Sequence, residues 1–409
     1  METKTILATV YAVNPFKGSE DGMGWNFVCQ IARFNNVIAI TRENNRPHIE
    51  KYMEENPNDI YENMQFLYFD LPYWLRWWKK GGRGAMLYYW MWQRGVVSFV
   101  KKQHVQFDLV HNLNFHNDWT PSFLWRLKKP LVWGPIGHHP LIPNQYLRRY
   151  GKKYWLKDRL TWIVKKAFWN CSISLKKTVR KADHIFCMNE SVAEVVKLDD
   201  KEHTIMPSVA TEDFGYEPMK SNENFSLISA GRLIPLKGFD LSILGFSSFI
   251  KKLPAKEREN CKLTIVGSGP ELNNYKKISR ENEMDSNIEF VKWLDRRELL
   301  ELTKSSSAFL FPSHEGAGMV VSEALSFGLP VICLDNSGPG EFIDSSCGYA
   351  VKIQNYKNTI KDLGEAIYKL YSNNNLKREM SKNARIRFED KFHWDRRGEI
   401  LNQTYLKLL

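Results

Sequence analysis

The sequence predicts an α/β protein of two doubly wound, Rossmann-like domains facing each other across a cleft, and three observations carry that expectation. From Phe225 onward, short apolar strands alternate with amphipathic helices through short connections, the grammar of a parallel sheet covered on both faces. Before Met206 the same alternation runs less cleanly, interrupted by long aromatic and basic insertions. The chain has 409 residues. At roughly 100 to 200 residues per domain, that length favours two domains.

In the first half, strands are expected at Thr5 to Val10, Val37 to Ile40, Met64 to Tyr68, Leu109 to His111, Leu131 to Trp133 and His184 to Met188. In the second half they are expected at Phe225 to Gly231, Lys262 to Val266, Ile288 to Val291, Ala308 to Phe311 and Pro330 to Leu334. Helices fall between them: Phe239, Ile243, Phe246 and Ile250 share one helical face, another helix follows Glu271, and two more span Arg297 to Thr303 and Met319 to Phe327. Periodicity stops between Met206 and Asn224, where Pro207, Gly215 and Pro218 accumulate. The expected domains are therefore residues 1–207 and 220–392, with a final helix near 393–409 that packs back on the first.

Composition is that of a globular protein, 43% hydrophobic and 25% charged, which excludes a disordered or fibrous chain. The six cysteines are scattered with no C-x-x-C pair, so neither a zinc site nor a redox motif is expected, and a reducing cytosol suits them. No signal-peptide core and no apolar run long enough to span a membrane is present in the sequence, so membrane contact is expected to be peripheral, at the inner face. The net charge of +12 is uneven: residues 1–205 hold 30 Lys and Arg against 19 Asp and Glu, and the remainder 28 against 27. An anionic partner for the first half is implied. Tyr73 to His104 carries seven Lys or Arg, no acidic residue, and Trp74, Trp77, Trp78, Tyr88, Tyr89, Trp90 and Trp92. Arg148 to Lys181 adds twelve basic residues, against Asp158 and the nearby Asp183. Either the aromatics complete a core while the cations point outward, or the segments form an interfacial patch on anionic lipid.

The chemistry concentrates in two places. In Phe311-Pro-Ser-His-Glu-Gly-Ala-Gly-Met-Val-Val-Ser-Glu323, Glu315 stands on a glycine-rich loop and Glu323 eight residues on, inside the following helix. The helix opening at Met319 and Val320 offers free N–H groups to a phosphate, and Gly316 and Gly318 allow close backbone approach. The two carboxylates can then accept hydrogen bonds from hydroxyls on either side of a diphosphate. In Gly231-Arg-Leu-Ile-Pro-Leu-Lys-Gly238, Arg232 ends a strand and Lys237 begins a helix, so both cations are expected in one crevice, holding the negative charge of a departing diphosphate. Gly267-Ser-Gly269 lacks the third glycine of a dinucleotide fingerprint and reads as an ordinary turn. His138 and His139 read as surface residues after a Gly-Pro loop.

The block Gly231 to Glu341 resembles glycosyltransferase family 4, with its Gly-Arg…Lys-Gly and Glu-x7-Glu motifs in order and register. Gly18-Ser-Glu-Asp-Gly-Met-Gly-Trp25 and Leu131-Val-Trp-Gly-Pro-Ile-Gly137 extend the resemblance toward a branch that includes polysaccharide-assembly enzymes. The resemblance implies a GT-B fold and retaining, metal-independent transfer from a nucleotide-diphosphate sugar, without cofactor, by a hexosyltransferase. It places Arg232 and Lys237 on the diphosphate, Glu323 on the ribose, Glu315 on the donor sugar and Gly18 beneath the diphosphate. Gly316, Gly318, Met319 and Val320 join them as donor-binding candidates. His116, in Asn114-Phe-His-Asn-Asp-Trp-Thr-Pro-Ser122, fits the family's histidine beside the donor sugar better than His111. The implied acceptor is a lipid-linked saccharide of a capsule, O-antigen or exopolysaccharide. Three positions depart from the pattern: Lys292 replaces a glycine near the nucleobase, Pro207-Ser-Val209 replaces Pro-Asn-Gly, and Ala317 replaces an aromatic residue.

A nucleotide-sugar epimerase or an inverting transferase on the same architecture remains open, as does a basic protein that binds single-stranded nucleic acid through interleaved cations and aromatics. The last would leave the Glu and Arg/Lys constellation unexplained, and no nucleic-acid partner is expected.

Overall fold

Two all-parallel sheets organise the chain. A computed structural model describes residues 3–79, 81, 84–113, 117–218 and 224–409. They divide into one unit of residues 1–138, 163–210 and 394–409 and a second of 139–162 and 211–393.

The first unit is built on β1 (Thr5–Val10), β2 (Asn36–Thr41), β3 (Met64–Tyr68), β4 (Leu109–Leu113), β5 (Leu131–Ile136), β6 (His184–Cys187) and β7 (His203–Ile205). Their order is β3-β2-β1-β4-β5-β6-β7. β1 pairs with both β2 and β4, with Leu7 opposite Ile38 on one side and Val110 on the other. Strands β4 and β5 are buried along their whole length, the mark of a central parallel strand covered on both faces. The aromatic segment splits. Tyr88, Tyr89 and Trp92, on the helix Ala85–Gln103, are core residues at 0 to 2% exposure, whereas Tyr73, Trp74 and Trp77 are 63 to 75% exposed.

The second unit holds β8 (Phe225–Ala230), β9 (Cys261–Val266), β10 (Ile288–Val291), β11 (Ala308–Phe311), β12 (Val331–Asp335) and β13 (Gly348–Lys352), ordered β10-β9-β8-β11-β12-β13. Its core packs Leu227, Leu263 and Leu310 of the sheet against Phe239, Ile243 and Phe246 of one helix and Leu363 and Ile367 of another. Residues 139–162, which the sequence assigned to the N-terminal domain, belong here because Ile142, Tyr146 and Leu147 enter this core. A polar connection adds to it. Asp240 is buried at the start of the helix Phe239–Ile250, accepts a 2.7 Å hydrogen bond from Tyr356 and another from Tyr150, and burial pushes its carboxyl above the usual range.

In both sheets the strand order reverses beside the first strand, between β1 and β4 and between β8 and β11. Loops leaving the carboxyl ends of those neighbours diverge to opposite faces and leave a crevice, where ligands of open α/β sheets bind. Strands β7 and β13 were not expected from the sequence: β7 is three residues of mostly exposed edge, and β13 mixes polar and apolar side chains.

Candidate functional site

The second unit's crevice is lined by the two motifs singled out in the sequence. After β8 the chain passes Gly231, Arg232 and a single turn ending at Lys237, then enters the helix at Phe239 through Gly238. Gly231 has φ of 151°, and a Cβ there would lie 3.4 Å from Lys237 Cε, so glycine gives the lysine its space. Gly238 has φ of 67°, and its missing Cβ would collide with the carbonyl oxygen of Pro312. The loops after β8 and β11 are therefore in backbone contact. The His314 N–H donates to the Leu236 carbonyl at 2.9 Å, and Ser313 Oγ reaches the same oxygen.

Across this junction Lys237 Nζ meets Glu315 Oε2 at 2.7 Å, with both side chains only 13 to 14% exposed. The ammonium also lies 5.1 Å from the centre of the Phe311 ring. Arg232 is exposed, and its side chain makes no hydrogen bond or ion pair among the described residues. The structure thus joins Lys237 to Glu315 and leaves Arg232 facing solvent at the end of β8. Gly267 and Gly269 support this loop: a Cβ on either would strike the carbonyl of Gly231 or Leu233, and Leu233 N–H donates to Ser268 at 2.9 Å. Their glycines serve backbone contact, as an ordinary turn requires.

Gly316 and Gly318 are buried, and Met319 and Val320 open the helix Met319–Ser326. The Gly316 N–H is already taken: it donates to His139 Nδ1 at 3.1 Å. His139 is half-buried against the glycine loop, and a surface reading of it is corrected. The loop after β12 closes the other side, where Asn336 donates to the Ser313 carbonyl at 2.7 Å and a Cβ on Gly338 would strike the Glu315 carbonyl. Glu323 is 6% exposed, and Arg296 pairs with its Oε1 at 3.0 Å. Burial raises the Glu323 carboxyl above its usual range, and the guanidinium partly offsets that. His314, fully buried against Tyr146, is held neutral, its imidazole pushed down to about 4 by desolvation.

The first unit carries fewer candidates. Gly18 is exposed at the start of the helix Ser19–Ala32, whose first turn holds Glu20 and Asp21, the latter 3.6 Å from Lys17. His116 lies outside the described residues. His111, on β4, is buried with Nδ1 at 2.6 Å from the Tyr405 hydroxyl and Nε2 at 2.8 Å from the Gly134 carbonyl, so both ring nitrogens are engaged. His138 is likewise no surface residue: it is 6% exposed and pairs through Nδ1 with Asp118 at 2.7 Å.

Sequence reasoning missed Arg296, His139, Asn336 and Ser313. Only Asn336, in Asn-Ser-Gly-Pro-Gly, carried a local signal, that of a turn. Among the described residues no group of three His, Cys, Asp or Glu side chains could hold a metal ion.

The second unit is a doubly wound sheet with cations after its first strand and a carboxylate after its fourth, and the chain is similar to known glycosyltransferases. Residues 212–387 match the model for glycosyl transferases group 1, and this segment is a glycosyltransferase domain of that group. An uncharacterized glycosyltransferase of Haemophilus influenzae is 30% identical over 172 residues, 41% of this chain and 45% of its own. The poly(glycerol-phosphate) alpha-glucosyltransferase of Bacillus subtilis is 22% identical over 371 residues, 85% of this chain and 49% of its own. The chain thus spans about half the length of these two relatives. Among solved structures, WaaG, a glycosyltransferase involved in lipopolysaccharide biosynthesis, aligns with 97% of this chain and 99% of its own at a TM-score of 0.59 and 19% identity. Anabaena HepE in complex with UDP aligns with 99% of this chain and 100% of its own at 0.64 and 12%. The fold is GT-B, two Rossmann-like α/β units.

Proposed function

We propose that this chain transfers a sugar, with retention of configuration and without a metal, from a nucleotide-diphosphate donor to a lipid-linked saccharide during surface-polysaccharide assembly. The observation that carries this reading is the Lys237–Glu315 pair at the crevice between β8 and β11, with the buried Glu323 carboxylate on the helix that follows. In this reading Lys237 and Arg232 hold the leaving diphosphate, Glu315 a hydroxyl of the donor sugar and Glu323 the ribose. As the anomeric carbon parts from the diphosphate oxygen, an acceptor hydroxyl forms the new glycosidic bond from the same face. Its proton passes to the departing nucleoside diphosphate, so no side-chain nucleophile is needed. The UDP bound to HepE and the alpha-glucosyl activity named for the Bacillus subtilis relative support the donor class and the outcome.

The acceptor and membrane part rests on surface character. Tyr73, Trp74 and Trp77 are exposed beside Arg76 and Lys79. The helix Lys152–Cys171 buries no residue and exposes Leu156, Leu160, Ile163 and Val164, an i, i+4, i+7, i+8 stripe flanked by lysines. No helix among the described residues is long and apolar enough to cross a membrane.

The test is turnover of labelled UDP-, GDP-, dTDP- and ADP-sugars with a membrane lipid extract, followed by the anomeric configuration of the product. A retained configuration is expected. Lys237→Ala and Glu315→Ala should each lower kcat roughly 10²- to 10³-fold, as for single groups that stabilise developing charge. An inverted product, an epimerised free nucleotide sugar, or near-normal turnover in both variants would refute the reading.

A further inference from the structure

A cation stands where helix electrostatics disfavours one. The helix Arg296–Lys304 starts at a capping box in which Asp295 accepts from the Glu298 N–H at 2.8 Å. This fixes Arg296 in the first turn, beside the positive end of the helix dipole, where carboxylates are favoured and arginines are not. Its guanidinium instead reaches Glu323 on another helix, 3.0 Å from Oε1, and rests 5.4 Å from the Phe214 ring centre. Phe214 in turn stacks on Phe327, at the end of the Glu323 helix, at 5.7 Å. Phe214 thus links the Arg296 guanidinium to the end of the helix that carries Glu323. The Glu323 side chain is 8% exposed, that of Arg296 54%.

We propose that Arg296 is a positioning residue of the nucleotide site, which orients Glu323 and keeps it charged as the acceptor for the ribose hydroxyls, and so sets the pH range in which nucleotide binds. This rests on the nucleotide-sugar reading of the same crevice. A carboxyl this deeply buried takes up a proton unless a counter-charge faces it, and a protonated carboxyl is a poor acceptor for a hydroxyl. Three other cations on neighbouring elements are committed elsewhere: Arg385 to Asp213 and Glu389, Arg387 to Asp344, and Lys304 to Glu217. Of the acidic groups nearby, Asp335 is exposed at the end of β12 and Glu341 lies in the turn Pro339–Phe342. Among the charged groups of the described residues, Arg296 is the one that acts on the Glu323 carboxyl.

The experiment is the dissociation constant of UDP, GDP, dTDP and ADP between pH 6 and pH 9 for the full chain and for Arg296→Gln, Arg296→Lys and the double variant Arg296→Gln, Glu323→Gln. For the nucleotide that binds the wild type, the affinity of each variant is read relative to the wild type at the same pH, which cancels the ionisation of the nucleotide itself. In Arg296→Gln this relative affinity should fall tenfold or more toward pH 6 and recover toward pH 9, because loss of an adjacent counter-charge raises a carboxyl by about one to three pH units. Arg296→Lys should restore most of the acid-side affinity. The double variant, which leaves no unpaired buried charge, should bind weakly at every pH and so guards against a folding defect in the single variant. An Arg296→Gln profile parallel to the wild type, whether displaced or not, would overturn the inference while leaving the nucleotide reading intact. Failure of the wild type to bind any of the four would reject the nucleotide reading itself, and the inference with it.

Discussion

His111 shows what a lone side chain in a strand can and cannot disclose. In the sequence it competed with His116 for a role beside the donor sugar; in the structure its ring is enclosed, with Tyr405 and the Gly134 carbonyl on its two nitrogens, and burial pushes it down to about 3. Its folded value lies below the ordinary one, so the neutral form is favoured by folding, and the stability it contributes is present above pH 6.5 and is lost as pH falls toward 3. His314 acts in the same direction, with a folded value of about 4. The melting temperature should therefore fall on acidification below about pH 6.5, and His111→Gln, though less stable at pH 8, should show a shallower fall. An equal slope in the variant would contradict this account. The meeting of Lys237 and Glu315 in one crevice was foreseeable because both lie on short loops just past strand ends, where chain direction dictates side-chain placement. Arg296 and His139 were not, because each acts on a residue 27 or 177 positions away, a distance only tertiary packing closes.

Most strands and helices were readable from periodicity, since both sheets are parallel and their central strands are continuous apolar runs. The assignment of 139–162 was not readable. What places it is the Ile142, Tyr146 and Leu147 contacts and the Asp240 tyrosine cluster, which pair residues about a hundred or more positions apart. The helix Trp394–Leu408 belongs to the first unit through Trp394 against Phe27, Asp395 with Arg33 at 2.6 Å, and Tyr405 on His111. Deleting residues 394–409 removes the buried Leu401 and Tyr405 and strands the His111 imidazole. Burial of such side chains is worth about 1.5 to 3 kcal/mol each, so the melting temperature should drop by roughly 10 °C or more. An unchanged melting temperature would show that this helix is not part of the unit's fold.

At the scale of the whole molecule, two doubly wound domains were legible from alternation and length and the GT-B fold only through the resemblance of the motifs, while the acceptor's chemistry shows only as charge and exposed surface. The excess of positive charge lies in the first half of the chain, and there Trp74 and Trp77 are exposed while Trp92 is buried. The chain should co-sediment with vesicles containing anionic lipid and not with neutral ones, and Trp74→Ala with Trp77→Ala should weaken that binding severalfold. Equal binding to both vesicle types would contradict an anionic partner. The central claim, that the crevice of the second unit holds a nucleoside diphosphate, is tested most directly by melting temperature with UDP, GDP, dTDP or ADP, with and without chelator, for the wild type and Glu323→Ala. Ligand at about a hundred times its dissociation constant adds about 2.7 kcal/mol. The account predicts a rise of several degrees with one nucleotide, unchanged by chelator and absent in Glu323→Ala. No rise with any nucleotide, or a rise that survives the loss of Glu323, would contradict it.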